Sequence, residues 1–283
     1  MMSFKVLDAP ASDLGEGIFL DKNSMVLYWV DINNNNLFKY DILTNKLLSK
    51  IEVPNNPSCI ISVQEDRVTY TDSESVSTIC SRTGKISRLF DHIGHDPVNF
   101  RANDGVALSD GCMIYGTMSF HPELIAGKIY VLEKNKTLKA HDLGIHIPNT
   151  FISSNEHIYV SDSLKKCTYV VNVEENNVID ENSLRIWKNF SNCSYTPDGG
   201  CISSKGYLHI ALWDGASIGV FDQNGKNMKK IHLPVLKPTN CIISENRWLY
   251  VTSAKEGMTQ KQLNKYPLSG KTLVVDLGDD YEY

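Results

Sequence analysis

Short apolar runs broken by polar turns repeat along the whole chain. Each unit starts with a brief apolar run, passes a polar turn, and continues into a second run rich in Tyr, Val and Thr. The first runs open at Glu16-Gly-Ile-Phe-Leu, Pro57-Ser-Cys-Ile-Ile-Ser, Asn103-Asp-Gly-Val-Ala-Leu-Ser, Pro148-Asn-Thr-Phe-Ile-Ser, Pro197-Asp-Gly-Gly-Cys-Ile-Ser and Pro238-Thr-Asn-Cys-Ile-Ile-Ser. Tyr28, Thr69, Ile114, Tyr159, His209 and Tyr250 hold equivalent places in the second runs, 41 to 50 residues apart. β-Branched and aromatic runs bounded by Asn, Asp and Gly read as strands. Three or four strands in each of six units of about 45 residues predict an all-β, six-bladed propeller. A sandwich or irregular barrel does not account for six copies in the same order. No stretch carries a sustained period of 3.6, so few helices are expected.

After Tyr250 only Lys271-Thr-Leu-Val-Val-Asp reads as a strand, which leaves the last unit short. The N-terminal Phe4-Lys-Val-Leu is expected to supply its outer strand, closing the ring and covering an open sheet edge. The expectation is a single propeller domain over residues 1–283.

Composition narrows the class of partner. The chain has 283 residues, 42% hydrophobic and 22% charged, with a net charge of −5. That is an ordinary globular balance, with no electrostatic reason to expect nucleic acid or an anionic membrane surface. No apolar run is long enough to span a membrane, and the Met1-Met2-Ser3-Phe4-Lys5 start lacks the pattern of a secretion signal. The seven cysteines are widely spaced with no CxxC pair, which points to reduced thiols in a cytoplasm. Cys59, Cys201 and Cys241 fall in apolar runs and are expected to act as small core residues.

In a propeller the first strand of each blade lines the central channel. Five of the six copies carry a polar residue just before or at its start: Glu16, Asn103, Asn149, Asp198 and Asn240. Ring geometry converges them on one axis although more than two hundred residues separate the first from the last. Two carboxylates brought together away from water repel each other and lose hydration. A divalent cation removes both costs. Oxygen ligands suit calcium, magnesium or manganese better than zinc, although a mixed carboxylate and water shell holds zinc too. The bland reading of each motif is a turn, since Asn-Asp-Gly and Pro-Asp-Gly are common turn sequences.

The same residues carry a family resemblance. Leu14-Gly15-Glu16-Gly17 followed by Leu27-Tyr-Trp-Val-Asp-Ile resembles the opening of the regucalcin/gluconolactonase family, also called senescence marker protein. Arg101-Ala-Asn103-Asp-Gly followed by Gly116-Thr-Met is similar to a second family segment. Pro148-Asn149, Tyr159-Val-Ser-Asp162-Ser163, Tyr195-Thr-Pro-Asp198-Gly, Ala211-Leu-Trp213 and Pro238-Thr continue the match in order. The resemblance implies a six-bladed propeller, one divalent metal in the channel, and hydrolysis of a sugar lactone. It puts the metal ligands on Glu16, Asn149 and Asp198 and the substrate contacts on Arg101 and Asn103. Calcium is the metal expected first, with zinc, manganese and magnesium as alternatives. Asp198 is the expected general base.

The chain departs from the family pattern at three places. Ile18 stands where proline is usual, and Thr150 where glycine is usual. Phe120 stands where some members place a substrate-facing glutamate, with His121 and Glu123 the nearest replacements. Arg101 has a structural alternative, an ion pair with Asp96 or Asp104. Other features read as ordinary structure: His92 and His95 as a solvated loop, His209 as a packed or edge residue, Trp213, in a blade turn beside the channel mouth, as packing ahead of the alternative of a pocket wall, and Lys226 to Lys230 as solvated. No Gly-x-Ser-x-Gly elbow and no Gly-rich phosphate loop occurs. Three functions therefore stand: a metal-dependent lactonase, a non-catalytic calcium-binding propeller, and a related propeller hydrolase acting on non-sugar esters or phosphotriesters. The sequence does not specify which lactone is cleaved or the oligomeric state.

Overall fold

The computed structural model describes residues 3–283 except 109–110, 134–136, 155–156, 175–177, 246 and 280. Met1 and Met2, part of the N-terminal reading, lie outside the described residues. The first blade runs outward as β2 Gly15–Asp21, β3 Val26–Asp31, β4 Asn36–Asp41 and β5 Lys46–Glu52. Four more antiparallel four-stranded sheets repeat the order. They run from β6 Cys59–Gln64 to β9 Ile86–Asp91, and from β10 Phe100–Ala107 to β13 Leu138–His141. Then come β14 Pro148–Ser154 to β17 Ile179–Asn189, and β18 Thr196–Ile202 to β21 Asn227–His232. Each inner strand packs on the next, and the sixth, β22 Lys237–Ser244, returns to β2, so the ring is closed. The fold is a six-bladed β-propeller.

The last sheet has the order β22, β23 Trp248–Ala254, β24 Leu273–Asp276 and β1 Ser3–Val6. As expected, the N-terminal strand is its outermost member, with Phe4 opposite Val275 and Val6 opposite Leu273. The single helix among the described residues, α1 Gln260–Lys265, is capped by Thr259 and Gln262 in a reciprocal pair of bonds. No helix among them is long and apolar enough to cross a membrane.

Strand burial follows position in the blade. All six residues of β3 are buried, because both faces meet neighbouring blades, whereas β5 alternates exposed and half-buried residues as an outer strand should. The apolar layers lie between blades. Val30, Leu37 and Tyr28 pack with Val68, Tyr70 and Ile79 across the first boundary. Trp29 stacks on Phe38 with ring centroids 5.0 Å apart, and Tyr115 stacks on Tyr130 at 5.1 Å.

Two histidines belong to this core. His209 is fully buried and bonds the Tyr281 hydroxyl through Nε2 at 2.7 Å. His92 differs from the expected solvated loop: it is buried, with Nε2 2.9 Å from the Asp72 carbonyl and Nδ1 2.9 Å from the Tyr115 hydroxyl. The carbonyl can only accept, so Nε2 carries the proton and Nδ1 accepts from Tyr115. Burial pushes the pKa of His92 down to about 4. Lys229 is also not merely solvated, since its ammonium covers the rings of Tyr281 and Tyr283.

β1 is mostly exposed and meets the ring through its ladder to β24. Removing residues 1–6 should leave β24 as an open edge. The expected outcome is a lower melting temperature with concentration-dependent association, read by thermal melt and size-exclusion chromatography. An unchanged melt and elution would show that the ring does not need this strand.

Candidate functional site

A single irregularity recurs in all six inner strands. Each carries one extra residue against its partner, between Glu16 and Phe19, Ile60 and Ser62, Ala102 and Gly105, Asn149 and Ile152, Pro197 and Gly200, and Pro238 and Cys241. A bulge of this kind bends a strand and re-aims side chains. Here it occurs at the channel, and Glu16, Asn103, Asn149, Asp198 and Asn240 all lie in or at the edge of one. The second blade places Ile60 and Ile61 there with Ser62 at the far edge, and it contributes no carboxylate or amide side chain.

Local backbone demands explain some residue choices. Gly17 has φ +57°, and a Cβ there would come within 2.6 Å of the Ser58 carbonyl oxygen. The equivalent Thr150 keeps a left-handed backbone, φ +67°, despite its branched side chain. It is held from both sides: its hydroxyl donates to the Asp198 carbonyl and accepts from Ser161 Oγ at 2.7 Å. Thus Thr150 keeps the left-handed backbone that Gly17 adopts in the first blade.

Glu16, Asn149 and Asp198 are brought together, with Arg101 and Asn103, in the lining of one cavity of about 500 Å³ at the channel mouth. The three are at least nine-tenths buried. Glu16 Oε2 accepts the Gly17 amide at 3.2 Å, and Asp198 Oδ1 accepts the Gly199 amide at 3.1 Å. Asn149 Oδ1 accepts from Asn103 Nδ2 at 2.9 Å, and its own Nδ2 donates to Ser163 Oγ at 2.9 Å. Arg101 pairs with neither Asp96 nor Asp104. Its Nη1 donates to Asn103 Oδ1 at 2.6 Å and to the Ala102 carbonyl at 2.9 Å.

Three blades also hold the carbonyl next to the following blade's polar residue. Asn103 Nδ2 donates to Pro148 O at 3.0 Å, just before Asn149. Ser163 Oγ donates to Pro197 O at 2.7 Å, just before Asp198. Thr239 Oγ1 donates to Gly15 O at 2.5 Å, just before Glu16. In two blades a buried aspartate at the end of the second strand grips the backbone two and three residues before the polar residue. Asp31 accepts the amides of Asp13 and Leu14 at 2.9 and 3.2 Å. Asp162, at the end of β15 His157–Asp162, accepts those of His146 and Ile147 at 2.9 and 3.3 Å.

The electrostatics of the cavity are unbalanced. Burial, and then the Asp198 and Asp104 charges, hold the Glu16 carboxyl well above its usual range. Burial and then Asp104 do the same to Asp198. Asp104 itself is raised to about 6, chiefly by burial. Arg101, lowered by burial, is the cation set against Glu16 and Asp198. No group of three or more His, Cys, Asp or Glu side chains suited to a metal forms among the described residues. The oxygen set is instead two carboxylates and one amide carbonyl, each left with lone pairs. Such a set fits a hard divalent cation, which would supply the missing positive charge.

Several lining residues escaped the sequence reading. Ser163, Lys166, Thr196, Asp214 and Glu256 line the cavity together with Leu14, Met118, Ile147, Leu164 and Trp213. Ser163 was within reach, because it follows the repeating strand-end aspartate. Glu256 comes from the loop after β23, and nothing in the repeat predicts its approach. Trp213 walls the cavity instead of only packing, and the Lys237 ammonium lies 4.5 Å from its ring centroid. Phe120, by contrast, is about half exposed. It is not among the lining residues, nor are His121 and Glu123. Asn240 lies deeper than expected: with Asp104, which it approaches at 3.4 Å, it lines a second cavity.

Residues 14–255 match the family described as the SMP-30/Gluconolactonase/LRE-like region. The chain belongs to this family. It is 26% identical over 272 residues to regucalcin of Danio rerio, covering 93% of this chain and 90% of the relative. It is 25% identical over 249 residues to the pentonolactonase XacC of Haloferax volcanii, covering 85% and 81%. In fold it is similar to the solved structure of regucalcin, a calcium-binding protein, from Agrobacterium tumefaciens. The TM-score is 0.87 at 20% identity, covering 96% of this chain and 93% of the other.

Asp162 is fully buried and serves four amides, adding Leu164 at 3.1 Å and Lys165 at 3.3 Å to the two named above. Asp162→Ala strands these donors, and a lost buried partner costs about 1–3 kcal/mol per donor before relaxation. Denaturant unfolding should show a loss of about 3 kcal/mol. A loss below about 0.5 kcal/mol, the scale of an ordinary surface change, would remove Asp162 as a support of the site.

Proposed function

We propose that the chain works as one propeller domain that is a metal-dependent lactonase opening a sugar lactone. The observation that carries this reading is the cavity in which Glu16, Asn149 and Asp198, from three different blades, meet Arg101 and Asn103. Family membership and the pentonolactonase relative support a lactone as substrate. Glu16, Asn149 and Asp198 would hold the ion, with calcium favoured by an all-oxygen set and zinc, manganese or magnesium as alternatives. A bound divalent ion supplies a Lewis acid for the ring carbonyl and makes nearby water more acidic.

The chain's own residues do the rest. Asp198 uses Oδ1 for the Gly199 amide, which leaves Oδ2 to accept a proton from the attacking water. Water adds to the lactone carbonyl carbon, the ring C–O bond breaks, and the proton held by Asp198 passes to the departing ring oxygen. Arg101 spends one nitrogen on Asn103 and Ala102, which fixes the plane of its fork and leaves further N–H donors for substrate hydroxyls. Asn103 is oriented by Arg101, Asn149 and Pro148 at once, so it enters the reaction already positioned.

The test is a panel of sugar lactones, non-sugar esters and phosphotriesters assayed with metal-stripped and metal-restored protein. Lactone turnover that returns with the ion supports the proposal. A recovered melting temperature without turnover would favour a calcium-binding propeller, the description given to the Agrobacterium relative. Turnover confined to the non-sugar esters or phosphotriesters would move the substrate class.

Asp198→Ala removes a ligand and the base together. At saturating metal, kcat should fall by about 10²–10⁴ while the circular dichroism spectrum is unchanged. Retention of a tenth of the activity would rule out Asp198 as the base.

Arg101→Lys keeps the charge and loses the planar fork. The expected change is a fall in kcat/KM equivalent to about 1–3 kcal/mol, with unaltered metal affinity. The loss should shrink for a lactone lacking the hydroxyl that Arg101 contacts. Equal losses on both lactones together with a lower melt would make Arg101 structural.

A further inference from the structure

The channel has a second cavity, of about 360 Å³, lined by the far halves of the inner strands: Ile18 and Phe19, Val106 and Ala107, Ile152 and Ser153, Ile242 and Ile243. Asp104 and Asn240 also line it, and the Asp104 charge acts on Glu16 and Asp198. Cys201 of β18 and Cys241 of β22 also line it, and their sulfurs are 3.9 Å apart. These strands belong to different blades and share no ladder, yet they lie very close. A Cβ on Gly199 would come within 2.3 Å of the Asn240 side chain. The third thiol lining this cavity, Cys59, donates to the Gly105 carbonyl at 3.2 Å, and Cys241 Sγ also lies 3.5 Å from the His209 carbonyl.

We infer that Cys201 and Cys241 are a reversible oxidation site, closing under peroxide or a small disulfide or azo oxidant into a disulfide that staples the fifth blade to the sixth. A disulfide needs sulfurs about 2.05 Å apart, so the pair must close by about 1.9 Å. The cavity gives a small oxidant its route. Cys201 is partly exposed and Cys241 is buried, and burial holds the Cys241 thiol well above its usual range. Cys201 is therefore the sulfur that reacts first. Its thiolate attacks one oxygen of hydrogen peroxide, the O–O bond breaks, and Cys201 becomes a sulfenic acid as hydroxide leaves and is protonated to water. The Cys241 sulfur then attacks the sulfenic sulfur. The S–S bond forms, the S–O bond breaks, and the departing oxygen leaves as water with the Cys241 proton. Two thiols lose two electrons, and one peroxide is reduced to two waters. The link closes a loop of 40 residues across the boundary between the fifth and sixth blades, so the oxidised form should be the more stable one.

The site is independent of the proposed lactonase activity and is tested on the native full-length chain. The protein is treated with hydrogen peroxide or with diamide, remaining thiols are alkylated, and the digest is mapped by mass spectrometry. The expected result is a peptide pair joined between Cys201 and Cys241, an intact mass lower by about 2 Da, and full reversal by dithiothreitol. Oxidised wild type should melt above reduced wild type, and Cys201→Ser should abolish both the link and the difference. Cys201 and Cys241 both recovered alkylated would overturn the inference. So would Cys201 recovered as sulfinic acid beside alkylated Cys241, or links formed only between molecules through Cys80 or Cys193. Peptide mapping needs no variant, so the result stands even if Cys201→Ser folds poorly.

Discussion

Hydrogen bonds that cross from one blade to the next govern the channel. Separate sheets share no ladder, so apolar packing alone would leave their inner ends free to slide. Asn103 to Pro148, Ser163 to Pro197 and Thr239 to Gly15 remove that freedom at one height of the ring. Each accepts its load at a carbonyl adjacent to Asn149, Asp198 or Glu16. A buried carbonyl without a donor is costly, so these bonds are hard to give up. The bulges aim the side chains, and the crossing bonds hold them aimed.

This precision works against electrostatic comfort. Glu16, Asp104 and Asp198 are all raised by burial, Glu16 further by the Asp198 and Asp104 charges and Asp198 further by Asp104. A chain optimised for stability alone would not gather three carboxyls around one axis with Arg101 as the opposing charge. The surrounding apolar layers between blades, such as the Tyr28, Val30 and Tyr70 cluster, supply the stability that makes the arrangement affordable. Unbalanced negative charge in a rigid oxygen-lined cavity is the property that a divalent cation recognises.

The site was legible where it followed the repeat and obscure where it did not. Glu16, Asn103, Asn149 and Asp198 sit at one phase of a 41- to 50-residue period, so counting alone converged them. Asp31 and Asp162 obey the same period, although their work as backbone grips shows only in the hydrogen bonds. Asp104 was passed over because it reads as the middle of a turn, Asn-Asp-Gly. Glu256 and Lys166 come from loops whose paths no periodicity governs, and His92 looked solvated because its polar neighbours in sequence are not its neighbours in space. Phe120 marks a departure from the family pattern, and the cavity lining contains no compensation from His121 or Glu123.

By itself, the sequence determined the number of blades, the closure of the last one by Phe4-Lys-Val-Leu, the family, and the polar residues that face the axis. These follow from local alternation of apolar and polar positions and from a period that survives every variation in turn length. Only the tertiary structure decided that Asn103 reaches Asn149 in the next blade, that Trp213 walls a cavity, and that Cys201 meets Cys241. Those outcomes depend on distances of a few tenths of an ångström between strands of different blades. Ring closure sets such distances through the bulges and the crossing hydrogen bonds. No local pattern encodes them, because each is a joint property of two segments about 40 residues or more apart.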